Sequence, residues 1–126
     1  MSDSLLRPLA QPEELDPVLA GSHQRLQLLF KHSVTCPISG AAHQGLMRHL
    51  REAPDAGVDY WLITVQTARP LSQSVAERTS VRHESPQALL VWQGQVVWHA
   101  SHWSITADSL AQAIATHRPA DVSAVN

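Results

Sequence analysis

The chain reads as a single α/β domain, with a central mixed β-sheet and helices on both faces. Three observations carry that reading. Apolar runs of strand length alternate with stretches of helical period. The last two strand-like runs are separated only by Gln93-Gly94, a two-residue hairpin turn. And 126 residues with 44% hydrophobic content are enough for one real core and argue against wholesale disorder.

In order, residues 1–12 are polar, carry Pro8 and Pro12, and read as a flexible N-terminal segment. Residues 13–19 can form a short helix with acidic residues early and Gly21 as its stop. Residues 25–31 hold Leu26, Leu28, Leu29 and Phe30, too densely apolar for a surface helix, and read as a buried strand. Ile38, Ala42, Leu46, Leu50 and Ala53 then recur at helical spacing. Pro37 suits the first helical position, where its missing N–H costs nothing, and Pro54 and Gly57 end the segment. Residues 58–65 are rich in β-branched and aromatic side chains and read as a second strand. Pro70 opens a helix towards Thr79. Residues 88–92 and 95–99 form the hairpin, and Thr106 caps a last helix carrying Leu110, Ala113, Ile114 and His117. The folded domain is expected over residues 13–118, with a flexible tail from 119 to 126. Strands joined through helices are expected to pair in parallel, the hairpin adding an antiparallel edge. That order of elements is a thioredoxin-like layout.

The formal net charge is −2 with its eight histidines neutral, which gives no reason to expect nucleic acid as partner. No apolar run approaches the length of a membrane span, and the start lacks the basic and apolar regions of a signal peptide, so a cytoplasmic protein with no membrane partner is expected. Cys36 is the only cysteine. It excludes an internal disulfide, and any disulfide it forms is with another molecule. It also sits where a strand-like run meets a helix start. A helix start stabilises negative charge, and the thiolate is the reactive form of cysteine. Cys36 is therefore the candidate nucleophile, with Lys31 or His32 as neighbours that could assist. His99 and His102, with His32 and Cys36, invite a zinc reading, but without a second cysteine a closed four-ligand site is poorly served and no metal is expected. Trp92, Trp98 and Trp103 read as packing residues rather than a base-stacking platform.

Two segments together, Lys31-His32-Ser33-Val34-Thr35-Cys36-Pro37-Ile38-Ser39 and His83-Glu84-Ser85-Pro86-Gln87 with the following Trp98-His99-Ala100-Ser101-His102-Trp103, resemble the monothiol bacilliredoxins, thioredoxin-like proteins of the bacillithiol system. Arg69-Pro70-Leu71-Ser72 fits the same pattern, and the resemblance spans roughly residues 24–115. It implies a thioredoxin fold, Cys36 as the redox-active thiol, and Pro86 as a cis-proline beside it. Thr35, Pro37, Ser39, Ser85, Pro86, His83 and Glu84 are the candidates for supporting the thiolate or binding substrate. Bacillithiol is the implied thiol co-substrate, and S-bacillithiolated proteins are the implied partners. Ser39 stands where thioredoxins carry a second cysteine. Its hydroxyl can hydrogen-bond a thiolate but cannot resolve a mixed disulfide. The implied activity is a monothiol thiol–disulfide oxidoreductase that removes bacillithiol through a Cys36–bacillithiol disulfide. Against it stand a non-catalytic redox sensor or thiol carrier, an iron–sulfur carrier, disfavoured by Pro37 beside the cysteine, and peroxide reduction through a sulfenic acid.

Overall fold

Strand β2 (Leu26–His32) runs through the middle of the sheet, and its alternating side chains divide the core in two. The computed structural model describes residues 5–119. Around β2 the elements follow in order: β1 (Leu6–Leu9), a 3-10 turn (Pro12–Glu14), α1 (Leu15–Gly21), then after β2 α2 (Pro37–Glu52), β3 (Val58–Thr64), α3 (Arg69–Thr79), β4 (Gln87–Trp92), β5 (Gln95–Ser101), a second 3-10 turn (His102–Ser104) and α4 (Ala107–His117). The sheet order is β1-β3-β2-β4-β5.

Leu26, Leu28 and Phe30 face α2 and α4, where Ala42, Leu46, Leu50, Leu110, Ala113 and Ile114 close over them. Leu29 faces the other way and packs with Leu15, Val18, Leu71 and Val75 of α1 and α3. Period two along β2 thus meets helical period on both covering layers, which gives the expected α/β class.

Two expectations need correction. Residues 6–9, read as part of a flexible lead-in, form β1 and pair in parallel with β3, Leu6 opposite Tyr60 and Leu9 opposite Ile63. The strand is only four residues long and contains Pro8. Proline is tolerated because β1 is an edge, and such an edge leaves little alternation to read. The parts of the flexible segments on residues 1–4 and 120–126 lie outside the described residues. The second correction concerns pairing. β2 and β3, joined through α2, are parallel. β3 and β4, joined through α3, are not neighbours; β4 crosses to the far side of β2 and runs antiparallel to it, Lys31 opposite Gln87. The β4–β5 hairpin is antiparallel. Its turn has Gln93 and Gly94 both at positive φ, 53° and 77°, as a type I′ turn requires.

The cap signals also hold. Pro37 opens α2 with Cys36 as N-cap. Thr106 caps α4, its Oγ1 accepting from Ser109 N–H at 3.0 Å. Because β2 and β3 are parallel, the β2–α2 and β3–α3 loops lie at the same end of the sheet, where ligand sites of α/β folds gather.

Candidate functional site

Cys36 emerges at that end, partly exposed, in extended conformation (φ −101°, ψ 121°). The first helical bond of α2 runs from Gly40 N–H to Cys36 C=O, 3.0 Å. Pro37 has no N–H, so Ile38 and Ser39 supply the first amides of this helix start, and the Cys36 side chain makes no cap hydrogen bond to them. A sulfur at the N-cap therefore sits against backbone dipoles rather than against a formal cation.

Ser39 is fully buried beneath this turn. Its Oγ lies 2.7 Å from His32 Nδ1 and accepts the Ser33 N–H at 2.8 Å. Burial first, then the charge of His43, push His32 below the ordinary histidine range, so its ring is neutral at pH 7. The tautomer then decides what Ser39 can do. With the ring proton on Nε2, the Ser39 hydroxyl proton is committed to Nδ1. With the proton on Nδ1, Ser39 accepts twice and its own proton is free for another acceptor, such as a thiolate. His32 belongs to a three-ring cluster, with centroids 4.8 Å from His43 and 5.8 Å from Phe30, which are themselves 6.2 Å apart.

The loop carrying Cys36 is tied down by Gln66, which no sequence signal marked. Gln66 Nε2 donates to Ser33 Oγ (2.7 Å) and Thr35 Oγ1 (3.2 Å), and its Oε1 accepts the Val34 N–H (3.2 Å). One loop amide thereby fixes three consecutive residues ahead of Cys36. Only its position in the β3–α3 connection could have suggested it.

The second segment approaches from β4. The Ser85–Pro86 bond is cis, as the resemblance implied, and Pro86 is buried. Pro86 C=O accepts the His102 N–H at 3.1 Å, which places the turn bearing Trp103, 70% exposed, alongside the proline loop. Ser85 Oγ is buried without a partner among the described residues, and Glu84 is exposed.

Lys31 and His83 meet each other. Lys31 is fully buried, and its Nζ lies 3.1 Å from His83 Nδ1. An ammonium only donates, so Nδ1 accepts and the ring proton is on Nε2. Burial pulls the Lys31 ammonium down to about 8. His83 is lowered by its own burial and by Lys31, while Glu84 works the other way. Of the two cationic neighbours considered for Cys36, Lys31 thus turns to the α3 face, and His32 turns to Ser39.

Among the described residues no group of three or more His, Cys, Asp or Glu is placed to hold a metal ion, and no helix is long and apolar enough to cross a membrane. A cavity of about 500 Å³ lies at the other end of the strands, beside Arg25, Asp55 and Val58, far from this chemistry.

A model of the monothiol bacilliredoxin BrxC matches residues 7–110. The chain belongs to the monothiol bacilliredoxin family. A solved structure described as a candidate oxidoreductase with a thioredoxin fold superposes with a TM-score of 0.77 at 34% identity, covering 89% of this chain and 96% of that one. A thioredoxin from Fasciola hepatica gives 0.69 at 16% identity, with 89% and 99% covered, and thioredoxin f from spinach chloroplast gives 0.69 at 14%, with 90% and 94% covered. The last two show the fold alone. Bacilliredoxin membership and the fold together support a thiol oxidoreductase role.

Proposed function

We propose that the protein removes bacillithiol from S-bacillithiolated proteins, with Cys36 as the nucleophile, in a cytoplasmic setting where that thiol is kept reduced. The observation that carries this is a lone, partly exposed cysteine at the N-cap of α2, with a buried Ser39 in the position that a resolving cysteine would need.

The Cys36 thiolate attacks the bacillithiol sulfur of the mixed disulfide. The protein–bacillithiol S–S bond breaks, and the target cysteine leaves as thiolate and takes a proton. Cys36 then carries bacillithiol. The thiolate of a second bacillithiol attacks the sulfur of that adduct, forming the small-thiol disulfide and releasing the Cys36 thiolate. The electrons come from the small thiol, and no internal disulfide is formed. The rate depends on thiolate fraction and on intrinsic nucleophilicity, which falls as the thiol becomes more acidic. The Gln66 ties hold the loop in place for attack.

The test is multiple-turnover release of bacillithiol from a capped model protein in excess free bacillithiol. Cys36→Ala abolishes release, while Ser39→Ala changes its rate only. Release undiminished in Cys36→Ala would sink the reading. Fewer than one turnover per wild-type molecule would make the protein a thiol carrier instead.

A further inference from the structure

A second cavity, about 340 Å³, opens beside Val65, the residue before Gln66. Val65, Arg69, Ser72, Gln73 and His83 line it. The volume is at the low end for small-ligand sites. Val65, on its wall, donates its N–H to His32 C=O at 2.9 Å, and the adjoining Gln66 grips Ser33, Val34 and Thr35. The cavity therefore borders the Cys36 loop.

Arg69, Ser72 and His83 each bring a donor to this lining. Ser72 is 3% exposed, yet its Oγ has no hydrogen-bond partner among the described residues. A buried hydroxyl left unpaired is a standing cost, so its retention calls for a ligand. Arg69, the first residue of α3, is exposed on the rim, with no ion pair or hydrogen bond to its guanidinium among the described residues. His83 accepts from Lys31 at Nδ1, which leaves its Nε2–H as a donor. Lys31 behind it is a buried cation with no carboxylate partner among the described residues. The one acidic neighbour of His83 in the chain, Glu84, is exposed and sits outside the lining. Cations, an orphaned hydroxyl and a helix start converge on one small space, which is the composition of an anion site.

We propose that this cavity binds a carboxylate of the small thiol that caps or resolves Cys36, with Arg69 and Ser72 as its direct donors and His83, backed by Lys31, as the third. The proposal rests on the thiol-exchange reading above and supplies its specificity element: selection of a carboxylate-bearing thiol over a neutral one.

Two measurements test it separately from that reading. Succinate titrated into the reduced protein should move the His83 ring resonances saturably, and Ser72→Ala should weaken that binding about tenfold. An absence of any shift overturns the site, and a shift insensitive to Ser72→Ala marks an adventitious ion only. The second measurement loads Cys36 with an uncharged 2-thiopyridine group. A thiolate then displaces 2-thiopyridone and forms the new disulfide with Cys36. Wild type, Arg69→Gln and Ser72→Ala are compared with glutathione and with 2-mercaptoethanol. Both variants should lower the glutathione-to-mercaptoethanol rate ratio, by about tenfold for Arg69→Gln. A ratio that falls in Arg69→Gln but not in Ser72→Ala reports general charge attraction and overturns the site. If Cys36 cannot be loaded at all, the exchange reading fails, while the succinate titration still decides the cavity.

Discussion

Lys31 and His32 are neighbours in β2, yet the pleat sends them to opposite faces of the sheet, and the two faces treat a titratable side chain differently. On the α2 face His32 is stacked on His43 and Phe30, its Nδ1 is hydrogen-bonded to Ser39, and its ring is neutral. On the α3 face Lys31 is fully buried against a single neutral partner, His83, and near it Ser72 Oγ and Gln87 Oε1 are buried without partners. Buried polar groups are normally paired. On the α2 face the groups around Ser39 obey that rule and shape the loop around Cys36, while His49 Nδ1, further along α2, is buried without a partner among the described residues. The α3 face breaks it beside a cavity, and such unmatched groups are retained where function offsets their cost.

The largest way to sharpen this contrast is Lys31→Met. Lowering the ammonium from its ordinary 10.5 to about 8 corresponds to about 3 kcal/mol at most, less whatever water reaches it through the adjoining cavity. Below about pH 8 the native lysine is charged and the full penalty applies. Between about 8 and 10.5 the native protein gives up that proton before the unfolded chain does, so wild-type stability recovers as pH rises. Above 10.5 both states are neutral at this site and the penalty is gone. Denaturant unfolding should therefore find Lys31→Met more stable than wild type at pH 7, with the gap closing by about pH 10.5. Tyr60, pushed up to about 12 by burial, titrates in both proteins and cancels from the difference. A Lys31→Met protein less stable than wild type at pH 7 would mean that the ammonium is matched after all.

Two buried serines give the next comparison. Ser39 has two partners and Ser72 has none among the described residues. Ser39→Ala leaves His32 Nδ1 and the Ser33 N–H unmatched and should cost about 1–3 kcal/mol. Ser72→Ala removes an orphan and should be neutral or slightly stabilising. Urea midpoints for the two variants test this directly. Equal losses would erase the distinction between the faces.

Much of this architecture was legible because it is written locally. Pro37 after Cys36, Gln93-Gly94 between two apolar runs and Thr106 before a helical period each fix a boundary by the chemistry of one or two residues. What escaped is non-local. Whether β4 joins β3 or crosses β2 depends on how the whole sheet closes, and β1 is a four-residue edge whose Pro8 argued against any strand. At the site, Cys36 and the proline loop carried recognisable motifs. Lys31 and His83 were each visible as candidates, but their contact spans 52 positions and follows from a β2–β4 pairing that local pattern does not determine. Gln66 looked like any polar loop residue. Its role exists only once the β2–α2 and β3–α3 loops lie side by side.

The smallest expected effect lies on the α2 face, in its response to acid. His32 is depressed below its ordinary 6.5 by burial and by His43, and His49 by burial, although Asp55 acts against it. Above pH 6.5 both rings are neutral in native and unfolded chains, and neither affects stability. As pH falls through 6.5 the unfolded chain takes up protons first, so stability declines until the native rings protonate at their lower values. His32→Phe keeps an aromatic ring in the cluster with Phe30 and His43 but removes one of these two sites. Its stability should fall less steeply than wild type between pH 6.5 and 5, with the remaining slope due to His49 and His83. Because His32 also holds the Ser39 hydroxyl, the same variant releases that proton permanently. Its thiol-exchange rate should lose whatever pH dependence the His32 ring imposes, and Cys36→Ala supplies the blank. Identical acid slopes in wild type and His32→Phe would show that the ring titrates freely, and with it the picture of a His32 ring held neutral against Ser39 would fail.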